Sequence, residues 1–231
     1  MIHLAVETST EMTDMALLSE NKLLVRLSIF RPGGASEILV PGLETLLGMA
    51  GEKKESIALV SSSAGPGTYT SIRVGHLFCK GLAYATRIPH LVVSPFLVVA
   101  EQALAHAGRG EDYLVVLLDA RRGEVNACLF DPSRPLFPVP GAGEVFSGRA
   151  VAPGRVLGAL PSGKGRIVGP GVVHLGDGSL QKDGGSAPLL LIHDLPRAET
   201  MGRLAIRQWR VRPQEGGSDS TLLYGRDSVI A

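Results

Sequence analysis

The sequence predicts an α/β protein of two lobes, each built on a mixed sheet. Three observations lead there. Residues 1 to 106 read as strand, strand, strand, helix, strand, helix, strand, helix; a hairpin followed by crossovers makes a sheet partly antiparallel and partly parallel, with helices covering it. A second run, strand then acidic residue then hairpin, begins at Tyr113 and echoes the first. The chain has 231 residues, 45% of them apolar, enough for one large core or two small ones. The expected division is a first lobe over 1–108 and a reduced second lobe over 109–231. The pattern is not the repeated strand–helix alternation of a dinucleotide-binding fold.

Taken in order, Ile2 to Val6 is a buried strand that ends at Glu7-Thr8-Ser9-Thr10. Met12 to Leu18 and Leu23 to Ile29 follow as strands joined by a turn at Glu20-Asn21-Lys22. Ser36 is the expected N-cap of a helix running to about Met49, with Leu39, Val40, Leu43, Leu46 and Leu47 at helical spacing. Ile57 to Ser61 is a fourth strand. The glycine-rich turn Ser63-Ala64-Gly65-Pro66-Gly67-Thr68-Tyr69-Thr70 then opens a helix to Thr86. Ile88 to Val93 is a strand, and Pro95, after Ser94, starts a helix to about His106. In the second lobe, Tyr113 to Leu118 and Glu124 to Phe130 are partner strands around Arg121-Arg122-Gly123. Prolines and glycines break up 131–165, so the sequence does not fix the path of the chain from 131 to 197. Arg166 to Val168 and Leu189 to Ile192 are short strands, Ala198 to Arg210 is a helix, and Thr221 to Tyr224 is extended.

Composition excludes several functions. The formal net charge is +1 and aromatic residues make up 5%. Neither a concentrated basic run nor a stacking platform for single-stranded nucleic acid is visible, so direct RNA binding by this chain is expected to be weak. Cys79 and Cys128 cannot make a disulfide scaffold and read as buried small hydrophobes. The N-terminus lacks the basic and apolar regions of a secretion signal, and Leu91 to Ala100 is too short to span a bilayer. A soluble cytoplasmic protein is expected, with no membrane contact.

The turn at Gly65 and Gly67 offers backbone amides that an anion would accept. It is not a dinucleotide fingerprint, because Thr70 stands at the third glycine position. In the following helix Ser71, Gly75, Cys79 and Ala83 recur every four residues as a small face suited to close approach by a partner helix. Val74, Leu77, Phe78 and Leu82 would then cover the sheet. Glu7 and Asp119 end the first strand of each lobe. A metal-binding carboxylate pair would want a third acid, and Ser61-Ser62-Ser63 stands in its place. His3, His76, His90, His106, His174 and His193 show no ligand-pair spacing and are expected at the surface or on helices. Neither a metal nor a cofactor is expected. Arg121 or Arg122 would suit a phosphate or a partner carboxylate, but a solvated hairpin accounts for them equally.

Three stretches resemble the TsaB (YeaZ) family. They are Leu4-Ala5-Val6-Glu7-Thr8-Ser9-Thr10, then Gly65 to Gly75 with Lys80-Gly81-Leu82-Ala83, and Asp119-Ala120-Arg121-Arg122-Gly123-Glu124-Val125. Leu223-Tyr224-Gly225-Arg226 is a fainter echo of the family's closing residues. The resemblance implies an actin-like ATPase (ribonuclease H-like) fold with a reduced second lobe. It implies a non-catalytic subunit of tRNA threonylcarbamoyladenosine biosynthesis that forms homodimers and binds the catalytic subunit TsaD. TsaD modifies adenosine 37 of tRNAs that read codons starting with A, and the ATPase TsaE joins the assembly; tRNA would be met only indirectly. The partner and dimer interface is expected at Ser36, Leu39, Val40 and Leu43 of the first helix and at Ser71, Gly75, Cys79, Leu82 and Ala83 of the second. A vestigial nucleotide site would comprise Glu7, Thr8, Gly65, Gly67 and Asp119. Three positions depart from the family pattern: Glu7 replaces Asp, Ala35 replaces His and Ser71 replaces Gly. The competing reading is a sugar-kinase-like ATPase acting alone.

Overall fold

A computed structural model describes residues 1–105, 111–133, 144–176 and 189–211. The expected extension at Thr221 to Tyr224, the echo through Arg226, and His106 lie outside the described residues. The described residues form two compact units: one of residues 1–98 with 196–211, the other within 99–195.

The sheet of the first unit contains β1 (Ile2–Glu7), β2 (Met12–Ser19), β3 (Lys22–Phe30), β4 (Ile57–Ser63) and β5 (His90–Val93) in the order β3-β2-β1-β4-β5. β1, β2 and β3 are antiparallel neighbours, while β4 pairs parallel with β1 and β5 parallel with β4. This is the ribonuclease H-like order. β1 sits at the centre and is buried along its whole length, which explains its unbroken apolar run: both of its faces are covered.

On one face, α1 (Ala35–Ala50) and α2 (Tyr69–Thr86) close a core that includes Leu4, Val6, Met15, Leu17, Leu39, Leu43, Leu46, Val60, Cys79 and Ala83. On the other, α5 (Ala198–Val211) packs with Ala5, Ala16, Leu18, Val93 and Val98. Sequence reasoning assigned α5 to the second lobe, and the structure returns it to the first. Small residues explain the fit. A side chain at Gly202 would meet Leu18 at 2.6 Å and Ala5 at 3.1 Å. The helix start is pinned by Asp14, which accepts from the Ala198 N–H at 2.9 Å, from Arg26 Nε at 2.9 and 3.1 Å, and from the Ser28 hydroxyl at 2.7 Å. A buried carboxylate at a helix N-terminus is stable when its lone pairs are used this fully.

α1 begins two residues earlier than expected. Gly34 occupies the N-cap position without a side-chain hydrogen bond, so Ser36 lies in the first turn and caps nothing. The helix stops at Gly51, whose φ of 67° is left-handed.

The second unit repeats the first. β6 (Tyr113–Arg121), β7 (Glu124–Phe130), β8 (Ser147–Val151), β9 (Gly165–Val168) and β10 (Leu189–Ile192) lie in the order β10-β9-β6-β7-β8. Hairpin pairing joins β6 to β7 and β7 to β8; parallel pairing joins β6 to β9 and β9 to β10. β8 and the short helix α4 (Pro153–Gly158) arise inside the proline- and glycine-rich stretch whose path the sequence leaves open. The prolines do not break them, because Pro153 occupies the first turn of α4, the position proline tolerates. The pairing of β8 comes from β7, at Val125↔Val151 and Asn126↔Ala150, and five-residue windows hide such tertiary support. The second half of α3 (Pro95–Ala105) belongs to this unit, where the buried Arg166 donates to the Ala103 carbonyl at 3.0 Å and pairs with Glu111.

Candidate functional site

The small face of α2 points inward. Ser71, Gly75, Cys79 and Ala83 are buried in the first unit, with Ile72 and His76 beside them. A side chain at Gly75 would come within 2.3 Å of Thr8 Oγ1, and Cys79 donates its thiol to the Ser61 carbonyl at 3.6 Å. The small residues therefore admit the chain's own β1 and β4 rather than a partner helix. Burial raises the Cys79 thiol pKa, which makes it an inert core residue. On α1, Leu39 and Leu43 are likewise buried, while Ser36 and Val40 are exposed. Leu82 is partly buried against the core.

The outward face of α2 is a different set of residues. Tyr69, Arg73, Leu77, Lys80 and Tyr84 are exposed at helical spacing. Leu77 is 64% and Tyr84 88% exposed, and on α1 Val40 and Met49 are 55% and 71% exposed. The Arg73 guanidinium stacks over the Tyr69 ring at 4.0 Å, a cation–π contact that orders both side chains. Large exposed apolar side chains concentrated on two neighbouring helices are more informative than scattered ones. The α2 signal was readable as Leu77 and Tyr84 seven residues apart, but Leu77 had been assigned to the sheet-covering face.

The glycine-rich turn is packed rather than open. The Thr68 N–H donates to the Ser9 carbonyl at 2.7 Å. A side chain at Gly67 would lie 2.3 Å from that same carbonyl. Glycine is needed here because the turn rests directly on the backbone after β1. Thr8 is buried under α2 and Glu7 is 1% exposed. Glu7 Oε1 accepts the Ser9 N–H at 2.6 Å, and Oε2 meets no donor among the described residues. Burial lifts its carboxyl pKa to about 7; the Ser63 and Ser9 hydroxyls and the Ser9 N–H work the other way, and the Asp14 charge adds to the rise. In the second unit, Asp119 is bonded within its own hairpin. It accepts from the Arg121 N–H at 2.7 Å and contacts His174 Nε2 at 3.0 Å. Glu7, Thr8, Gly67 and Asp119 thus each already have a local structural use, and Gly65 is buried in the same turn.

The histidines correct the sequence reading further. His3, His76 and His90 are buried. His3 Nε2 meets the Ser61 hydroxyl at 2.8 Å, and His90 Nε2 meets the Ser62 hydroxyl at 2.8 Å. The His76 and His90 rings lie 5.0 Å apart. Burial lowers the His3 pKa to about 3; burial, then His76 and Lys80, lowers that of His90 to about 4. Both are neutral at pH 7. Ser61 and Ser62 at the end of β4 hold these imidazoles. Among the described residues no group of three or more His, Cys, Asp or Glu is placed to hold a metal ion, and no helix is long and apolar enough to cross a membrane.

Known proteins share parts of this sequence and its fold. Residues 34–132 match the family model "TsaD: tRNA N6-adenosine threonylcarbamoyltransferase". The chain is 30% identical over 128 residues to the tRNA threonylcarbamoyladenosine biosynthesis protein TsaB of Bacillus subtilis, covering 55% of this chain and 54% of that one. It is 27% identical over 122 residues to TsaB of Escherichia coli, covering 53% and 52%. The chain thus spans about half the length of the curated relatives it matches. A solved structure from Pseudomonas aeruginosa, described as an uncharacterized protein with similarity to peptidase YeaZ, superposes with a TM-score of 0.74 at 25% identity over 97% of this chain and 99% of that one. The chain is similar to the TsaB (YeaZ) proteins. YeaZ from P. aeruginosa, at 23% identity and a TM-score of 0.72 over 96% of this chain and 99% of its own, shares the fold. The TsaB resemblance and the α/β fold of two mixed sheets are borne out. The matched span in the family model contains both α1 and α2, the helices that carry the exposed apolar face.

Proposed function

We propose that this chain is an accessory subunit of tRNA threonylcarbamoyladenosine (position 37) biosynthesis, which binds a TsaD-like catalytic subunit and does not itself transfer the group. One observation carries the docking site: Leu77 and Tyr84 on α2, with Val40 and Met49 on α1, stand exposed outside a well-packed core. A stable complex needs an interface of about 1,000 Å² or more, and exposed aromatic and aliphatic side chains are its usual anchors. The same face serves a homodimer when the catalytic subunit is absent. A TsaE-like ATPase joins through the assembly, and the site of action is the cytoplasm. The names of the curated relatives support a place in this biosynthesis, and the turn already filled by its own chain supports a binding role over a catalytic one.

The test is co-purification of the full chain with a TsaD-like subunit. Capture is expected for the wild type and lost for Leu77→Asp/Tyr84→Asp, with the thermal midpoint of the variant unchanged. A wild-type chain that stays folded and captures no catalytic subunit overturns the proposal. Tight ATP–magnesium binding with turnover by the isolated chain would support the kinase-like alternative instead.

A further inference from the structure

One face of α5 covers the first sheet; the opposite face is charged. Arg203, Arg207 and Arg210 are exposed, and their spacing sets them roughly 6 Å and 4.5 Å apart along one side of the helix. With Arg197, residues 197–211 hold four arginines, one glutamate and no lysine, a net charge of +3, whereas the whole chain carries +1. The rest of the chain is therefore net acidic. No basic run shows in the sequence because the helix, not the chain order, gathers these residues.

The geometry points to the outer face of α5 as a docking surface for the phosphate backbone of RNA. This rests on the tRNA-modification reading above and departs from the expectation that tRNA is met only indirectly. The use of arginine throughout favours phosphate, since a guanidinium presents a planar fork that binds phosphate oxygens in pairs. Two of the arginines are already extended by partners: Arg203 donates to Glu199 at 2.8 Å and Arg210 to Glu20 at 2.7 Å. Both pairs are exposed, and such pairs contribute little to stability, so exchange of carboxylate for phosphate is easy. Each guanidinium has five N–H donors, more than one carboxylate uses. A membrane surface fits less well, because the apolar side of α5 is already committed to the core at Met201, Leu204, Ala205 and Ile206, and an interfacial helix needs that side for lipid.

The experiment uses a fluorescein-labelled tRNA transcript that reads a codon starting with A. Its affinity for the complex of the full chain with the TsaD-like subunit is measured by anisotropy at several salt concentrations. Arg203→Gln/Arg207→Gln/Arg210→Gln should weaken binding at least tenfold and reduce the salt-dependence slope by about 2–3, as expected for three lost phosphate contacts. Glu20→Gln/Glu199→Gln, which removes the competing carboxylates, should tighten binding, an effect that a merely structural role for the arginines would not produce. Unchanged affinity and slope in a folded triple-Gln variant would overturn the proposal. So would a folded triple-Gln variant that fails to capture the catalytic subunit, since the stripe is then a protein contact. Binding of anionic phosphatidylserine vesicles in place of RNA would overturn it as well. Failure of the wild type to capture the catalytic subunit is a separate result: it sinks the accessory reading, whereas loss of RNA affinity with capture intact bears on α5 alone.

Discussion

Glu7 is the residue with the most unusual setting. Its carboxyl is buried, accepts one backbone N–H, and has its pKa raised to about 7 by burial, above the ordinary carboxylate value of 4.5. A folded-state pKa above the unfolded one means that the folded chain binds more protons between those values. The contribution of Glu7 to stability is therefore complete at low pH and is lost as pH rises through about 7. Glu7→Gln, which keeps the shape without the charge, should raise the thermal midpoint at pH 8 and do so much less at pH 5. The expected gain at pH 8 is on the order of 2 kcal/mol, read by thermal denaturation at the two pH values. An equal shift at both would mean that the carboxyl is ionised throughout. Gly75 makes a second test. Gly75→Ala should destabilise the isolated chain by about 1–3 kcal/mol through overpacking against Thr8, visible in urea unfolding without any partner present.

That second result also explains where sequence reasoning about α2 stopped. Small residues every fourth position say that something approaches closely; they do not say whether it is another helix or the helix's own sheet. Thr8, sixty-seven residues earlier, decides it, and no window of sequence contains both. The existence and length of α2, the order of strands through β7, and the inward fate of both cysteines were all legible, because long periodic runs and bounded apolar strands speak for themselves. The facing of α2 was not, since Leu77 and Phe78 are chemically alike and only packing separates the exposed one from the half-buried one. The burial of these histidines is hidden for the same reason: His3, His76 and His90 come from three elements and are gathered at Ser61 and Ser62, with the His76 and His90 rings in contact. At this scale Asp14→Ala is informative. It removes the anchor of the α5 start and leaves Arg26 without its carboxylate, at an expected cost of roughly 3–5 kcal/mol, measurable as a lower urea midpoint.

The two units repeat one strand order, and the echo of strand, acid and hairpin between β1–β2 and β6–β7 was the visible trace of that repeat. The rest of the second copy escaped notice because β8 and α4 are short and proline-flanked and owe their form to β7 and the second core. The molecule as a whole should be acid-labile. His3 and His90 are neutral in the fold at pH 7, burial lowering their pKa values to about 3 and about 4 from the ordinary imidazole value of 6.5. Their contribution is complete above pH 6.5 and is lost as pH falls from there toward 4, since only the unfolded chain then takes up the protons. Thermal midpoints should accordingly fall between pH 6.5 and 4, and His90→Gln should shallow that decline. A flat profile in the wild type would show that the imidazoles reach solvent before unfolding.

The return of α5 to the first sheet has a consequence for how the chain is made. Nascent domains usually condense in the order in which they leave the ribosome, at about 5–20 residues per second. Here the oldest strands wait for one of the youngest elements: Ala5, Ala16 and Leu18 keep an uncovered apolar face until Met201, Leu204 and Ala205 have been synthesised. Throughout that interval the second unit's strands emerge beside an unfinished sheet of the same strand order. The first unit is thus begun first and completed last, and its unfinished face is the surface on which a nascent-chain chaperone has the most to shield.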